Sequence, residues 1–269
     1  MSKSKSNQSY IIPDGLKQKE KIDVGLKLLK LEGMRFSFDA LARDYIKQQK
    51  TSYDFLESLT EIECSWKHDN RVEYLIKNAR FPFIRSIYDF DFDFQPNINK
   101  QQIMELASCR FIERGENIIF LGKSGVGKTH LIISLGMEAI DKLYSVRYLH
   151  IGDLIESINR TTNNGDDLYK LLKNLLRFRL LILDEMNPYN VSPESSKFLF
   201  KLLWERHEQR RSTIFASNHD LKEWVVLFGS KNRAEAVMDR ILTRQMYEII
   251  TIEGPSHRAE RGENSLKLL

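Results

Sequence analysis

The sequence has 269 residues, of which 42% are hydrophobic and 29% are charged, a composition that excludes a fibrous repeat and wholesale disorder. Its 41 Lys and Arg residues exceed its 37 Asp and Glu residues by too little for charge alone to predict a nucleic-acid partner. The apolar runs are far shorter than the ~20 residues that cross a bilayer, and the polar beginning lacks a signal-peptide core. We therefore expect a cytoplasmic protein without a membrane span.

The first part of the chain has the apolar spacing of helices. Residues 1–10 are polar and unpatterned, whereas apolar residues in 22–77 recur at intervals of three and four. This spacing predicts several short helices without strands. Residues 81–96 combine prolines with an acidic and aromatic run, which is typical of an extended connector. We expect a small all-helical domain over 1–85 and a second domain over 86–269.

The two cysteines, Cys64 and Cys109, stand far apart within this arrangement. Neither belongs to a CxxC spacing, so the pattern favours neither a zinc site nor a disulfide framework. We expect two free, buried thiols.

Beyond the connector, short apolar runs alternate with segments of helical spacing. This alternation predicts an α/β domain with a mainly parallel central sheet. The predicted strands are 117–121, 145–150, 180–183, 212–216 and 247–252. Between the last two, residues 221–227 and 233–243 have helical spacing.

The first predicted strand runs directly into GKSGVGKT, a GxxxxGK[ST] segment that precedes a predicted helix. Glycines permit a backbone whose N–H groups point at phosphates, and the helix N-terminus adds a favourable partial charge. The pattern predicts that Lys128 reaches the β- and γ-phosphates of ATP and that Thr129 binds Mg²⁺. The predicted nucleotide-binding residues are Gly122, Lys123, Ser124, Gly125, Val126, Gly127, Lys128 and Thr129.

Polar residues end two further strands. Asp184 and Glu185 follow four apolar residues in LLILDE, so Asp184 is predicted to orient Mg²⁺ and Glu185 to act as general base. Asn218 follows the fourth strand, where its amide could hold the attacking water. An asparagine after a strand is also a common turn residue. Hydrolysis of ATP with Mg²⁺ is therefore predicted, with Lys128, Glu185 and Asn218 in catalytic roles.

The order of these motifs resembles a known family. The segment FDFQPNINKQQIMELASCRFIERGENIIFLGKSGVGKTHL, followed by LLILDE, TIFASN, VMDR and GPSHR, is similar to IstB, the AAA+ ATPase partner of an insertion-sequence transposase. The likeness covers nearly the whole chain and extends, more distantly, to the DnaC and DnaI helicase loaders. It implies a P-loop AAA+ ATPase domain after a helical N-terminal domain.

The resemblance also implies roles for two arginines. Arg240, in VMDR, matches the family's arginine finger, which acts in the site of a neighbouring subunit. Arg258, in GPSHR, matches the sensor-two arginine that reaches back to the nucleotide. Taken without the resemblance, Arg240 could form a surface salt bridge and Arg258 could belong to a tail. With it, a homo-oligomer with nucleotide at the subunit interfaces is expected.

A helical insertion after the second strand faces nucleic acid in related initiators and loaders. The corresponding segment here carries four candidate cations, namely Arg160, Lys170, Lys173 and Arg177. They could pair with DNA phosphates in salt-sensitive, weakly sequence-specific binding, or they could form a solvated helix face.

These features lead us to expect an ATPase that oligomerises on duplex DNA and assists an IstA-type transposase in target selection and insertion. A replicative helicase loader of the DnaC or DnaI type shares every catalytic position and is the first alternative. A nucleotide-dependent adaptor without useful turnover is the second, although Glu185 argues against it. Preference for duplex or single-stranded DNA separates the first two hypotheses.

Overall fold

The computed structural model describes residues 12–161, 165–187, 191–239 and 246–256. The chain divides into two compact units, Met1–Glu73 and Tyr74–Leu269. The division falls upstream of 85/86 because the residues after Glu73 pack within the second unit. Leu75 and Ala79 are buried there, and Arg147 donates a hydrogen bond to the carbonyl oxygen of Asn78 at 3.1 Å. The domain boundary at 85/86 stays a prediction.

The first unit is helical, as predicted. Its helices are α1 (Gln18–Leu28), α2 (Glu32–Lys47) and α3 (Ser52–Ala79), the last of which continues into the second unit. A Cβ atom on Gly33 would lie 2.7 Å from the Cβ of Trp66, so α2 approaches α3 where only glycine fits. The buried Glu63 accepts the backbone N–H of Met34 at 3.0 Å and joins the two helices.

The cysteine prediction is only partly right. Both thiols are free and Cys109 is buried, where desolvation raises its pKa to about 11. Cys64 is exposed, so its predicted burial was wrong. It directly follows the buried Glu63 in α3 and therefore lies about 100° further around the helix, away from the packed face.

The second unit is built on a parallel five-stranded sheet. Its strands are β1 (Asn117–Gly122), β2 (Val146–His150), β3 (Leu180–Asp184), β4 (Ser212–Ser217) and β5 (Met246–Ile252). Their spatial order is β2-β3-β4-β1-β5, and all four neighbouring pairs are parallel. Every strand agrees with its predicted range to within one residue at each end, which confirms the predicted α/β fold class.

Helices precede β1 and connect the parallel strands. They are α4 (Lys100–Ala107), α5 (Arg110–Arg114), α6 (Lys128–Asp141), α7 (Ile151–Thr161), α8 (Gly165–Leu176), α9 (Pro193–Glu208) and α10 (Lys231–Asp239), with 3₁₀ turns at Ile87–Asp89 and Leu221–Phe228. The helical spacing of 221–227 thus corresponds to a 3₁₀ helix, and residues 240–243 of the last predicted helix lie outside the described residues. No helix in the described ranges is long and apolar enough to cross a membrane.

The sheet order determines where the functional residues meet. All residues of β3 and β4 are buried, as expected of parallel strands that are covered on both faces. Parallel strands end at the same edge, and β4 lies between β3 and β1. Gly122, Asp184 and Asn218 end or follow these three strands, so the sheet brings them to one edge.

Candidate functional site

The loop between β1 and α6 has the backbone of a phosphate-binding loop. Gly125 and Gly127 have φ values of 82° and 101°, which favour glycine. A Cβ atom on Gly127 would lie 2.7 Å from Cε2 of Phe90, so this position has no room for a side chain. Val126 is buried and anchors the loop, whereas Lys123 and Ser124 are exposed. The loop therefore offers its backbone to a ligand.

Lys128 begins α6, and its ammonium group lies across this loop. Nζ donates hydrogen bonds to the carbonyl oxygens of Gly122 at 2.7 Å and Lys123 at 2.8 Å. These contacts keep the charge next to the N-terminus of α6, where the helix dipole favours an anion. The positive end of the helix and the ammonium group point to the same ligand chemistry, a phosphate.

Asp184 lies at the end of β3 and is only 2% exposed. Its Oδ2 accepts hydrogen bonds from Thr129 Oγ1 at 2.8 Å and from the Tyr148 hydroxyl at 2.9 Å. Burial first, and the charge of Asp184 second, raise the pKa of Tyr148, so its hydroxyl keeps the proton that it donates. The buried carboxylate is thus oriented by the residues that flank it.

Glu185 adopts a positive φ of 52° and turns its side chain toward the open side of the sheet edge. Its Oε2 lies 2.8 Å from Nε2 of His150, the residue opposite Asp184 in the β2–β3 register. The backbone N–H of Gly152 donates to His150 Nδ1 at 3.2 Å. These contacts assign the neutral tautomer with the proton on Nε2, which donates to Glu185.

A cavity of about 660 Å³ joins the predicted residues. Lys128, Thr129, Asp184, Glu185 and Asn218 all line it, although they come from three different strand ends. Asn218 is exposed at the mouth of the cavity, directly after the buried Ser217. The structure therefore brings the sequence-predicted residues of the phosphate loop, the acidic pair and the asparagine into one site.

The connector before β1 supplies a wall of this cavity that sequence reasoning missed. Its lining residues are Phe83, Arg85, Asp89, Phe90 and Asp91. His130 of α6 holds the connector in place, since its Nε2 lies 3.0 Å from the carbonyl oxygen of Ser86 and its ring packs edge-on against Phe90. The sequence signal was the aromatic and acidic run itself, which we interpreted only as a link between domains.

The donor set fits ATP together with Mg²⁺. The Thr129 hydroxyl and the Asp184 carboxylate are hard oxygen ligands within hydrogen-bond distance of each other, as Mg²⁺ requires. No group of three His, Cys, Asp or Glu side chains converges in the described ranges. A metal here would share its coordination with the phosphates of the nucleotide and with water, which is usual for Mg²⁺.

The structure does not add the two arginines or the DNA candidates to this cavity. Arg240 and Arg258 lie outside the described residues. Two helices, α7 and α8, follow β2 as predicted. They carry the candidate DNA contacts Arg160, Lys170 and Lys173, and Arg177 directly follows α8; none of the four lines the cavity at the strand ends.

The sheet order 2-3-4-1-5, the phosphate loop after β1 and the acidic pair after β3 define a P-loop nucleotide-binding protein of the AAA+ class. Solved structures with this fold agree. A DnaC helicase loader is 22% identical, with a TM-score of 0.50, and the match covers 65% of this chain and 96% of that one. AMPPCP-bound DnaA from Aquifex aeolicus is 19% identical, with a TM-score of 0.53, over 71% and 58% of the two chains.

Residues 24–265 match the family model of the IstB-like ATP binding proteins, and the chain belongs to this family. The ATP-binding protein of insertion sequence IS232 from Bacillus thuringiensis subsp. berliner is 35% identical over 89% of this chain and 94% of its own length. The ATP-binding protein of IS5376 from Geobacillus stearothermophilus is 36% identical over the same shares, 89% and 94%. The family resemblance that the motifs indicated is confirmed.

Proposed function

We propose that this chain is the ATPase of a transposition system, which oligomerises on duplex DNA and assists an IstA-type transposase in target selection and insertion. The observation that carries the proposal is the single cavity lined by Lys128, Asp184, Glu185 and Asn218. Membership of a family whose relatives are named for insertion sequences supports the transposition setting.

The same residues support a hydrolytic mechanism. Lys128 and the loop amides hold the β- and γ-phosphates of ATP, while Glu185 takes a proton from the attacking water and Asn218 orients that water. Thr129 and Asp184 hold Mg²⁺, which supplies charge neutralisation on the phosphate oxygens when bound. His150 keeps the Glu185 carboxylate at the cavity wall through its Nε2 proton.

Completion of the site by a second subunit is part of the proposal. Arg240 acts in the neighbouring subunit, where its guanidinium neutralises charge that develops on the γ-phosphoryl group, and Arg258 contacts the nucleotide of its own subunit. Arg240→Ala mixed with Lys128→Ala tests the first role. Each variant alone is inactive, and the mixture regains activity because a Lys128→Ala subunit supplies Arg240 to an intact phosphate loop. A mixture that stays inactive contradicts the role in trans.

The α7–α8 insertion, which carries Arg160, Lys170, Lys173 and Arg177, is the proposed DNA-facing part of the ATPase domain. ATP acts as a switch, because bound nucleotide bridges adjacent subunits and hydrolysis releases the DNA-bound oligomer. Phosphate contacts predict binding that weakens steeply with salt and depends little on sequence.

A helicase loader is the second candidate, because the motif resemblance extends to the DnaC and DnaI loaders and a DnaC helicase loader shares the fold. The two functions differ in the DNA that they need. Binding of labelled duplex and single-stranded DNA is measured with ATP, with ADP and with Lys128→Ala as a nucleotide-binding control. ATP-dependent assembly on duplex DNA without a helicase supports the transposition function. Preference for single strands together with capture of a replicative helicase supports the loader.

A further inference from the structure

A groove of about 410 Å³ runs between α8 and α9. Its polar lining residues are Tyr169, Lys173, Arg177, Glu205, Gln209 and Arg211. The groove lies at the amino-terminal edge of the sheet, because α8 ends shortly before β3 begins and Arg211 directly precedes β4. It is therefore separate from the nucleotide cavity, which lies at the carboxyl edge.

The groove has a regular cationic face. Tyr169 and Lys173 of α8 and Arg177, directly after its last residue, are spaced by four residues and form one stripe. The Lys173 ammonium lies 4.5 Å from the centroid of the Tyr169 ring, which is 52% exposed. Arg211 extends the stripe from the other wall, since its Nη1 donates to the carbonyl oxygen of Arg177 at 2.8 Å.

The four sequence-predicted cations differ in their partners. Arg160 forms an ion pair with Glu156, and Lys170 pairs with Asp167 at 2.9 Å, each on its own helix. Lys173 and Arg177 form no ion pair with a carboxylate of the described residues; they pack against the rings of Tyr169 and Phe178. The positive charge of α8 is thus paired with a carboxylate near its beginning, whereas the carboxylate that lines the groove, Glu205, pairs with Lys201 at 3.8 Å rather than with Lys173 or Arg177.

Further arginines stand behind the groove and add to this charge. Arg206 is fully buried and donates to backbone carbonyl oxygens, including those of Leu175 and Phe178 at 3.2 and 3.0 Å. Burial first, and the charges of Arg211 and Arg179 second, lower its pKa to about 9. Among the described residues, none of these three arginines is paired with a carboxylate. An anion in the groove would offset their mutual repulsion.

We propose that the α8–α9 groove binds the phosphodiester backbone of duplex DNA through Lys173, Arg177 and Arg211, with the exposed Tyr169 ring against the sugar edge. This inference rests on the proposed DNA-binding function and assigns it to one surface. Successive members of the stripe are separated by about 6 Å, so the stripe spans about 12 Å and faces several phosphates of one strand. A cationic stripe that ends in an exposed aromatic ring suits nucleic acid better than an acidic peptide.

The test compares two double variants with equal loss of charge. Lys173→Gln/Arg177→Gln removes the groove cations, and Lys197→Gln/Lys231→Gln removes two exposed cations of α9 and α10 that line neither the groove nor the nucleotide cavity. Binding of the full chain to a labelled duplex is measured with ATP at several salt concentrations, and thermal unfolding confirms that both variants fold. The double variant of the groove lowers the slope of the logarithm of the duplex-binding constant against the logarithm of salt concentration by about 2. It also lowers the affinity at least about tenfold. The other double changes the affinity by less than about threefold.

The outcomes separate this inference from the proposed function. If the wild type binds no duplex, both fail. If it binds and the two doubles behave alike, only the groove assignment is overturned. Competition by polyglutamate as effective as competition by DNA at equal charge would make the groove a site for an acidic protein segment and would also overturn the proposal. Arg211→Gln provides an independent check from the residue before β4 and lowers the salt slope by about 1.

Discussion

The two edges of the central sheet differ in how their charges are partnered. At the carboxyl edge the acidic and basic groups contact one another or the loop, as Asp184 does with Thr129 and Lys128 does with the Gly122 carbonyl oxygen. At the amino edge the guanidinium groups of Arg206 and Arg211 donate to backbone carbonyl oxygens and leave their charge unneutralised. One sheet thus carries a preorganised chemical site and, opposite it, an electrostatic surface.

The difference explains why the two edges should respond differently to substitution. Groups at the carboxyl edge hold one another in place, so the loss of one affects a specific step of nucleotide binding or hydrolysis. Groups at the amino edge act mainly through summed charge, except for the buried Arg206, which also holds α8 to β4. Substitutions at each edge therefore test whether the two sets of charges are partnered in these different ways.

The largest effect is expected at Lys128. Lys128→Ala removes an ammonium whose charge-assisted hydrogen bonds are worth about 1.5–3 kcal/mol each, so ATP binding weakens at least about 100-fold and hydrolysis is lost. Lys123→Ala is the matched control, because Lys123 contributes its backbone rather than its exposed side chain. Isothermal titration calorimetry measures both. Equal affinities for the two variants would remove Lys128 from the phosphate site.

At the amino edge, Arg206 is the residue whose loss should destabilise most. Arg206→Met leaves buried carbonyl oxygens of α8 and β4 without a donor, at about 1–3 kcal/mol each, so unfolding becomes easier by about 3–5 kcal/mol. The exposed Lys197 of α9 is the control, and Lys197→Ala changes stability by about 0.5 kcal/mol or less. Urea unfolding followed by circular dichroism measures both. A variant as stable as the control would show that Arg206 does not hold this edge together.

A smaller effect is expected at Asn218, whose amide is proposed to orient the attacking water. Asn218→Ala lowers the turnover number about 100-fold, as the loss of one positioned donor does in other active sites. ATP affinity changes by less than about threefold, because the phosphate loop stays intact. Steady-state phosphate release and nucleotide binding are compared. Unchanged turnover would leave Asn218 as a turn residue.

The smallest effect is expected at Tyr148, which orients Asp184 without reaching the nucleotide. Tyr148→Phe removes one hydrogen bond to the carboxylate and raises the Mg²⁺ concentration for half-maximal hydrolysis about tenfold. Tyr144→Phe is the control, since the Tyr144 hydroxyl contacts Glu113 outside the cavity. Titration of hydrolysis with Mg²⁺ distinguishes them. Identical curves would show that Tyr148 does not tune the metal site.

The strands and the phosphate loop could be predicted because they are local patterns. The apolar run before Gly122 and the run before Asp184 each specify a buried strand and the residue that ends it. Tyr148 and His150 could not be found in this way, because their contacts depend on β2 lying beside β3 in register. The cavity wall at Phe90 likewise depends on the connector packing against α6, a contact without periodicity.

The structure describes the candidate DNA contacts but not the two arginines with predicted nucleotide roles. Arg240 and Arg258 lie outside the described residues, and their roles stay predictions from the family resemblance. The candidate DNA contacts fall into two pairs. Arg160 and Lys170 form ion pairs with carboxylates, whereas Lys173 and Arg177 pack against aromatic rings. Helical spacing alone could not separate Lys170 from Lys173, because the distinction depends on whether a carboxylate lies within reach.

The central claim is that hydrolysis at this cavity controls the hold on DNA. Glu185→Gln, which keeps the size of the side chain but removes the base, tests it most directly through phosphate release and residence time on duplex DNA. We predict ATP affinity like that of the wild type, phosphate release at least about 100-fold slower, and a complex that stays on duplex DNA after the wild type has dissociated. Indistinguishable, near-zero rates and equal residence times would instead indicate an adaptor without useful turnover.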